Sequence, residues 1–266
     1  MGQALILGGG FTGSRVAESL RARGWEVLCT NRSGAGGLRV DVNDRKSLAS
    51  LSDAMEPTTV VLHSIPVPGV MDTLRASPPA RVVYLSTTGV YGATHTVDET
   101  TPVQPRTERE SLRVSEEGAV LSGPWGAMVL RPAAIYGPGR GIHSAMRAGT
   151  YKLMGSGSNF VSRIHVDDLA RHAEAAMLSD LTGAYPVADA EPCPSREIAE
   201  YCAMLLGVPM PGEAPAEALG ETRRADRRVD GSAIRRLLGL TLQYPSYREG
   251  IAACLRAEEA RALSTS

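Results

Sequence analysis

Apolar runs too short for helices alternate with helical repeats through the first half of the chain. The stretch from Gln3 opens an apolar run, residues 4–7, that breaks into glycines, and residues 14–23 then show helical spacing, with Val16, Ala17 and Leu20 on one face. Residues 25–30, 38–42, 59–63, 81–85 and 125–131 read as further short strands. Several are continuously apolar rather than alternating, the pattern of parallel strands covered on both faces. Helical segments fall between them at 44–54 and 108–121. This alternation predicts an α/β fold, a Rossmann-type doubly wound parallel sheet. Beyond residue 141 the pattern is irregular and is interrupted by turn signals such as Gly155-Ser156-Gly157-Ser158-Asn159. A helix is predicted from His165-Val166-Asp167-Asp168 to residue 178, a strand over 183–188, and a helix over 195–206 with Ser195 as N-cap and Ile198, Ala199, Cys202 and Leu205 buried. Helices near 232–238 and 247–262 close the chain, with a frayed tail. Residues 1–140 are therefore assigned to a dinucleotide-binding core that also draws on 160–190. Residues 141–266 mainly form a small C-terminal substrate-binding lobe, not a separate folding unit. Within it, 210–221 is rich in Pro, Gly and Ala and reads as a mobile connection.

The glycines after the first strand carry the first chemical signal. Gly8 permits a tight turn, Gly10 lets the backbone approach a pyrophosphate, and Gly13 lets the next helix lie close on the strand. Amide groups from Phe11, Thr12 and Gly13 would then point at phosphates from the helix start. An NAD site usually carries Asp or Glu at the end of the second strand, where the adenosine ribose lies. Here Asn31-Arg32-Ser33 stands in that place. No carboxylate repels a 2′-phosphate and a guanidinium is available to grip it, which favours NADP over NAD, although Arg32 could equally be a solvated loop charge. Asp41, beside Val42, falls where it could accept a hydrogen bond from the adenine amino group; alternatively Asp41 or Asn43 caps the next helix. His63 and Ser64 end the fourth strand beside the expected cofactor cleft, His63 being either a packing residue or a proton carrier. Ser86, Thr87 and Thr88 end the fifth, where hydroxyls either meet a reacting carbonyl or satisfy a turn.

Composition narrows the function classes. A net charge of −1 over 266 residues gives no reason to expect nucleic acid or an anionic membrane as partner. No apolar run approaches the roughly 20 residues that span a bilayer. The start lacks a basic segment followed by a long apolar one, so a soluble cytoplasmic protein is expected. Cys29, Cys193, Cys202 and Cys254 are scattered without metal-ligand spacing and read as reduced thiols, with no metal site. The basic cluster Arg223, Arg224, Arg227 and Arg228 is either a solvated surface run or a contact for a substrate phosphate or carboxylate. Lys152, Asn159 and Arg163 are polar groups that could face the substrate cleft.

The order of these pieces resembles the extended short-chain dehydrogenase/reductase superfamily, the NAD-dependent epimerase/dehydratase group. The likeness rests on Gly8 to Gly13, Asp41, Val61-Leu62-His63, Thr87 to Gly92, Leu130 to Gly139 and Ile164 to Ala170. It implies that Thr87 hydrogen-bonds the substrate's reacting oxygen and that the loop after Pro132, with Tyr136, lines the junction of nicotinamide and substrate. The family also has a tyrosine acid/base and, four residues on, a lysine that holds the nicotinamide ribose. Those places fall on Arg109 and Arg113, and no tyrosine lies on the 108–121 helix. Neither lysine has a tyrosine four residues before it. Tyr136 and Arg140 have that interval, but across Gly137-Pro138-Gly139 it does not align side chains. Arg109 cannot supply a proton: with a pKa above 12, deprotonation near pH 7 costs about 7 kcal/mol. It can bind an anion or stabilise an oxyanion, and Arg113 can contact the ribose in an altered way; as a bland alternative both form exposed helix ion pairs. The departure resembles atypical members similar to the bacterial YeeZ-like proteins, here in Gln104-Pro105-Arg106-Thr107-Glu108-Arg109.

The expected activity is an NADP-dependent oxidoreductase acting on a small carbonyl, alcohol or imine, with Thr87, Arg109 and Tyr136 as catalytic candidates. A non-catalytic NADP-binding sensor is the alternative, and a nucleotide-sugar epimerase or dehydratase suffers most from the lost acid/base. The resemblance also raises a homodimer formed through helices.

Overall fold

The computed structural model describes residues 2–31, 38–40, 44–65, 69–220 and 224–264. Seven strands form one sheet: β1 (Gln3–Leu7), β2 (Glu26–Asn31), β3 (Leu38–Arg39), β4 (Val60–His63), β5 (Arg81–Leu85), β6 (Gly126–Pro132) and β7 (Gly183–Val187). Their order is β3-β2-β1-β4-β5-β6-β7, and every neighbouring pair is parallel. This is the doubly wound arrangement expected from the sequence.

Side chains alternate across the pleat, so each strand feeds two cores. Ala4, Ile6, Leu62, Val83 and Met128 meet α1 (Gly13–Ala22) through Val16, Ala17 and Leu20, and α6 (Val166–Met177) through Leu169 and Ala173. Leu5, Leu7, Val61, Tyr84 and Val129 face the other way. There they pack on Leu48 and Leu51 of α2 (Arg45–Ala54), Met71 and Leu74 of α3 (Val70–Ala76), and Val120 of α4 (Glu108–Leu121). The order reverses between β1 and β4, and the crevice outside the carboxyl ends of strands at such a point is where open α/β sheets bind ligands.

The lobe is built from short pieces beyond the sheet. Ala134–Tyr136 pairs parallel with Arg163–His165, and Phe160–Val161 pairs antiparallel with Cys193–Pro194. Tyr136, Met146, Leu153, Ile198, Tyr247 and Ile251 form its core with α5 (Ile142–Arg147), α7 (Ser195–Leu206) and α9 (Tyr247–Ser264). Three local expectations change. Ser195 is the first residue of α7 rather than its N-cap, because its hydroxyl donates to Gly157 O (3.1 Å) and Asn159 Oδ1 (2.7 Å). Leu205 is 39 % exposed. The 210–221 connection is tied down where Glu213–Ala214 pairs with Leu153–Met154.

Of the basic cluster's described residues, Arg224 and Arg228 are exposed, as in a surface run, whereas Arg227 is not. Arg227 is buried and donates to the carbonyls of Thr88 (2.6 Å), Thr94 (3.0 Å) and Gly92, which latches the lobe to the turn after β5. The Arg228 guanidinium lies 3.4 Å from the centre of the Phe160 ring, and Arg224 donates to Leu219 O. Arg223 lies outside the described residues. Among the described residues no helix is long and apolar enough to cross a membrane.

Candidate active site

The glycine turn is shaped by its neighbours. Gly8 has φ +104°, and a Cβ there would meet Ser64 Oγ at 2.4 Å. Gly8 N–H donates to Thr30 Oγ1 (3.1 Å), Gly9 N–H to Thr30 O (3.0 Å), and Ser64 Oγ to Leu7 O (2.8 Å). A Cβ on Gly13 would stand 2.1 Å from Gly8 O, so the start of α1 lies directly against the turn. Gly10 is the exception: it is exposed, and a Cβ there would meet nothing within 4 Å.

Helix N-terminal amides are usually satisfied by a capping side chain. The α1 N-cap, Thr12, makes no such hydrogen bond, and the first turn of α1 has no acidic residue. Among the described residues the N–H groups of Gly10, Phe11 and Thr12 meet no acceptor. A row of unclaimed amides beside open space, at a helix start, is a cradle that can accept an anion. By contrast α4 begins with a complete capping box between Thr107 and Glu110, so its own start is closed to ligands. Phe11 is held between two guanidiniums, 4.6 Å from Arg15 and 5.2 Å from Arg140 to the ring centre. Arg15 is itself fixed by Asp167 Oδ1 (2.6 Å) and Phe11 O (2.6 Å).

The adenosine side is only partly described. Asn31 ends β2, whereas Arg32, Ser33, Asp41 and Val42 lie outside the described residues. His63, expected beside the cleft, turns inward. Its side chain is fully buried, stacks on Tyr84 at 4.9 Å, and has Nε2 2.8 Å from Glu116 Oε1. It packs the sheet against α4.

At the carboxyl end of β5 the three hydroxyls diverge. Ser86 Oγ donates to Glu117 Oε1 (2.5 Å), and Glu117 makes a forked ion pair with buried Arg131 (2.7 Å to Nη2, 3.1 Å to Nε). Arg131 also donates to Tyr91 OH (3.0 Å). Thr88 is buried in the turn that follows. Thr87 caps that turn, accepting from Gly89 N–H at 3.1 Å, and stays half-buried. Its hydroxyl proton has no acceptor among the described residues, so it is free to bond an atom in the crevice. The Ser86–Glu117–Arg131–Tyr91 network, two of whose members flank Thr87 in the chain, joins residues up to 45 positions apart, a grouping no local motif signals.

The places of the family's tyrosine and lysine hold different chemistry. Arg109 is exposed on the first turn of α4, without a salt-bridge partner among the described residues. That turn adjoins the Thr87 turn, since a Cβ on Gly89 would lie 3.8 Å from Glu110 Oε1. Arg113 donates to Tyr84 OH at 2.9 Å, so its guanidinium fastens α4 to β5. Tyr136 is corrected as a proton source: it is 4 % exposed, its hydroxyl faces Ser246 O (3.4 Å), and burial raises its pKa far above the ordinary tyrosine value. It is a packing residue of the lobe, since a Cβ on Gly250 would sit 1.9 Å from its oxygen.

One face of Tyr136 nevertheless borders a cavity of about 190 Å³ whose walls include Ile135, Ile142, Met154 and Ile251. Lys152, Asn159 and Arg163 also line it, as the irregular second half suggested. A hairpin joins it to the cradle. Tyr136 and Gly141 border the cavity, while between them Gly137 packs so closely on Phe11 that a Cβ would meet the ring at 2.9 Å.

Residues 69–186 match the NAD dependent epimerase/dehydratase family. That stretch carries a domain of this family. Among curated proteins, the chain is similar to a 3-diazoavenalumate denitrifying reductase from a Streptomyces species, 27 % identical over 91 % of this chain and 96 % of the relative. A 2-alkyl-3-oxoalkanoate reductase from Stenotrophomonas maltophilia is 27 % identical over 76 % and 74 %. Protein YeeZ of Escherichia coli is 29 % identical over 92 % and 97 %, in line with the atypical group named from the sequence. Among solved structures, a UDP-glucose 4-epimerase of Thermus thermophilus in complex with NAD superposes with a TM-score of 0.79 at 21 % identity, over 97 % of this chain and 99 % of that one, which shows the shared fold. Two of the curated relatives are named reductases, consistent with an oxidoreductase.

Proposed function

We propose that this protein is a reductase that uses NADP in preference to NAD and acts on a small substrate with a carbonyl or imine centre. The observation that carries the reading is the row of unclaimed amides at Gly10, Phe11 and Thr12, with the Thr87 turn following another strand of the same parallel sheet at its carboxyl end. A dinucleotide held there would supply the hydride. Thr87 Oγ–H would donate to the reacting oxygen or nitrogen and orient it, and Arg109 would stand nearby as a fixed positive charge. With Tyr136 turned to Ser246 and Arg113 to Tyr84, water is left to replenish the proton. The NADP preference rests on Asn31-Arg32-Ser33, which offers a guanidinium and no carboxylate to the adenosine 2′-position. The two named reductases act on substrates whose names are those of carboxylate anions, and an organic acid is included in the proposal.

Stopped-flow absorbance with NADPH and a panel of oxo acids tests this. Thr87→Val is expected to lower the hydride-transfer rate about 100-fold, the loss of one hydrogen bond to developing charge, whereas Tyr136→Phe stays within about twofold because its hydroxyl faces away from the crevice. Equal rates in wild type and Thr87→Val, or a Tyr136→Phe enzyme as slow as Thr87→Val, would reject these roles. Arg32→Ser is expected to weaken NADPH about tenfold and leave NADH unchanged, the loss of one charged contact; an unchanged NADPH to NADH ratio would remove the assignment of Arg32.

The absence of an acid/base pair on α4 favours one second reading, a protein that binds NADP without turning it over. Tight NADPH binding with no oxidation by any substrate is its signature.

A further inference from the structure

Four arginines are buried among the described residues: Arg81, Arg131, Arg163 and Arg227. Three of them are saturated by oxygen. Arg131 has Glu117, Arg81 donates to the carbonyls of Ala176 and Leu181, and Arg227 donates to those of Thr88, Gly92 and Thr94. Arg163 differs. It is 6 % exposed, its acceptor is a sulfur, Cys193 Sγ at 3.7 Å, and its guanidinium stands 5.6 Å from the centre of the Tyr247 ring. No carboxylate forms an ion pair with it among the described residues.

A guanidinium carries five N–H donors, and leaving them unmet in a low-dielectric interior costs free energy. Arg163 lines the lobe cavity, so the acceptors it lacks can come from whatever fills that space. The other polar groups on the wall do not compete. Asn159 has its amide spent on Ala225 O (2.9 Å) and its oxygen on Ser195 Oγ (2.7 Å), and Lys152 stands exposed at the rim as a second positive charge. Buried Asp189 makes no ion pair with Arg163 among the described residues; burial pushes its carboxyl up to about 7 against the lowering pull of the Arg163 charge, and its Oδ2 has no hydrogen-bond partner.

We infer that the cavity is a carboxylate subsite: Arg163 receives the carboxylate of an organic acid through paired charged hydrogen bonds, and Ile135, Ile142, Met154 and Ile251 enclose its apolar body. The planar fork of a buried guanidinium matches the two oxygens of a carboxylate, and the apolar walls favour a ligand with a hydrocarbon body over a free inorganic anion. The hairpin from Tyr136 to Gly141 sets this acid beside the glycine cradle. The assignment rests on the proposed reductase reading for the identity of the neighbouring cofactor, and it adds which residue selects the substrate.

Calorimetric titration of the full chain, first with NADPH and then with trans-cinnamate, hexanoate and their methyl esters, separates the two claims. Expected are binding of both acids to the NADPH-loaded protein and affinities for the esters lower by about 20-fold, the scale of a charge-assisted contact. Arg163→Met is expected to bring the acids down to the level of the esters without changing NADPH affinity, and Arg163→Lys to recover part of the difference. Equal binding of acid and ester by the wild-type protein overturns the inference without recourse to a variant, as does no binding of either acid once NADPH is bound, or an Arg163→Met protein that still prefers acids. Failure of NADPH itself to bind overturns the reductase reading instead.

Discussion

Gly10→Leu is expected to abolish nucleotide binding, by at least about 100-fold, while leaving the fold intact. The contact of a diphosphate with backbone amides requires that nothing project from the turn. Gly10 lies outside the positive-φ region, and a Cβ there meets no protein atom within 4 Å, so the leucine side chain can be built without strain and fills only the space reserved for the ligand. The thermal midpoint should move by no more than about 2 °C, because a surface substitution away from special backbone is worth within about 0.5 kcal/mol. Gly13→Ala is the contrast. Its new methyl would meet Gly8 O at 2.1 Å, a backbone atom that cannot swing aside, so both stability and binding should fall. Isothermal titration with NADP⁺ and NAD⁺, together with a thermal melt, reads both effects. A Gly10→Leu protein that binds either nucleotide as the wild type does would show that the diphosphate lies elsewhere.

The second large effect belongs to Glu117. Removing one partner of a buried ion pair leaves the other charge in the interior without compensation, at a cost of about 3–5 kcal/mol. Glu117→Ala strips the fork from buried Arg131 and the acceptor from Ser86. At about 2–4 °C per kcal/mol for a chain of this size, the thermal midpoint should drop by roughly 6–20 °C. Replacing both charges with Glu117→Leu and Arg131→Met should recover most of that loss, since apolar pairs of similar volume often substitute for buried ion pairs. Urea unfolding of the single and double variants makes the comparison. A single variant within 1 kcal/mol of wild type would mean that Arg131 finds water or another acceptor.

The two halves of the site differ in how far they could be read without coordinates. The cradle was legible because a glycine requirement is local: Gly8, Gly10 and Gly13 fall within one turn, and strand and helix follow from apolar periodicity on either side. α4 was placed at its observed bounds for the same reason, although the Thr107-to-Glu110 capping box went unused, and it explains the segment before the helix without a catalytic role. For His63, Arg113 and Tyr136 the sequence left a structural reading open beside the functional one, and one shared cause kept it from choosing. Position along a strand or helix places the Cα but not the tip of the side chain, and each tip is claimed by a distant partner: Glu116, Tyr84 and Ser246. Arg227 shows the same limit, since a run of arginines looks solvated until the carbonyls of a turn more than 130 residues away enclose one of them.

Short-range pattern was therefore enough for the strands of the parallel sheet and for the glycine turn after the first of them, because each depends on residues only a few positions apart. Which arginine is saturated and which is left waiting for an anion depended on the folded chain. Arg131 and Arg163 are alike as letters in a sequence, but the fold brings Glu117 within 2.7 Å of one and only a cysteine sulfur to the other. Charge compensation in an interior is set by distances of a few ångströms between segments far apart in the chain, and those distances exist only once the layers have packed.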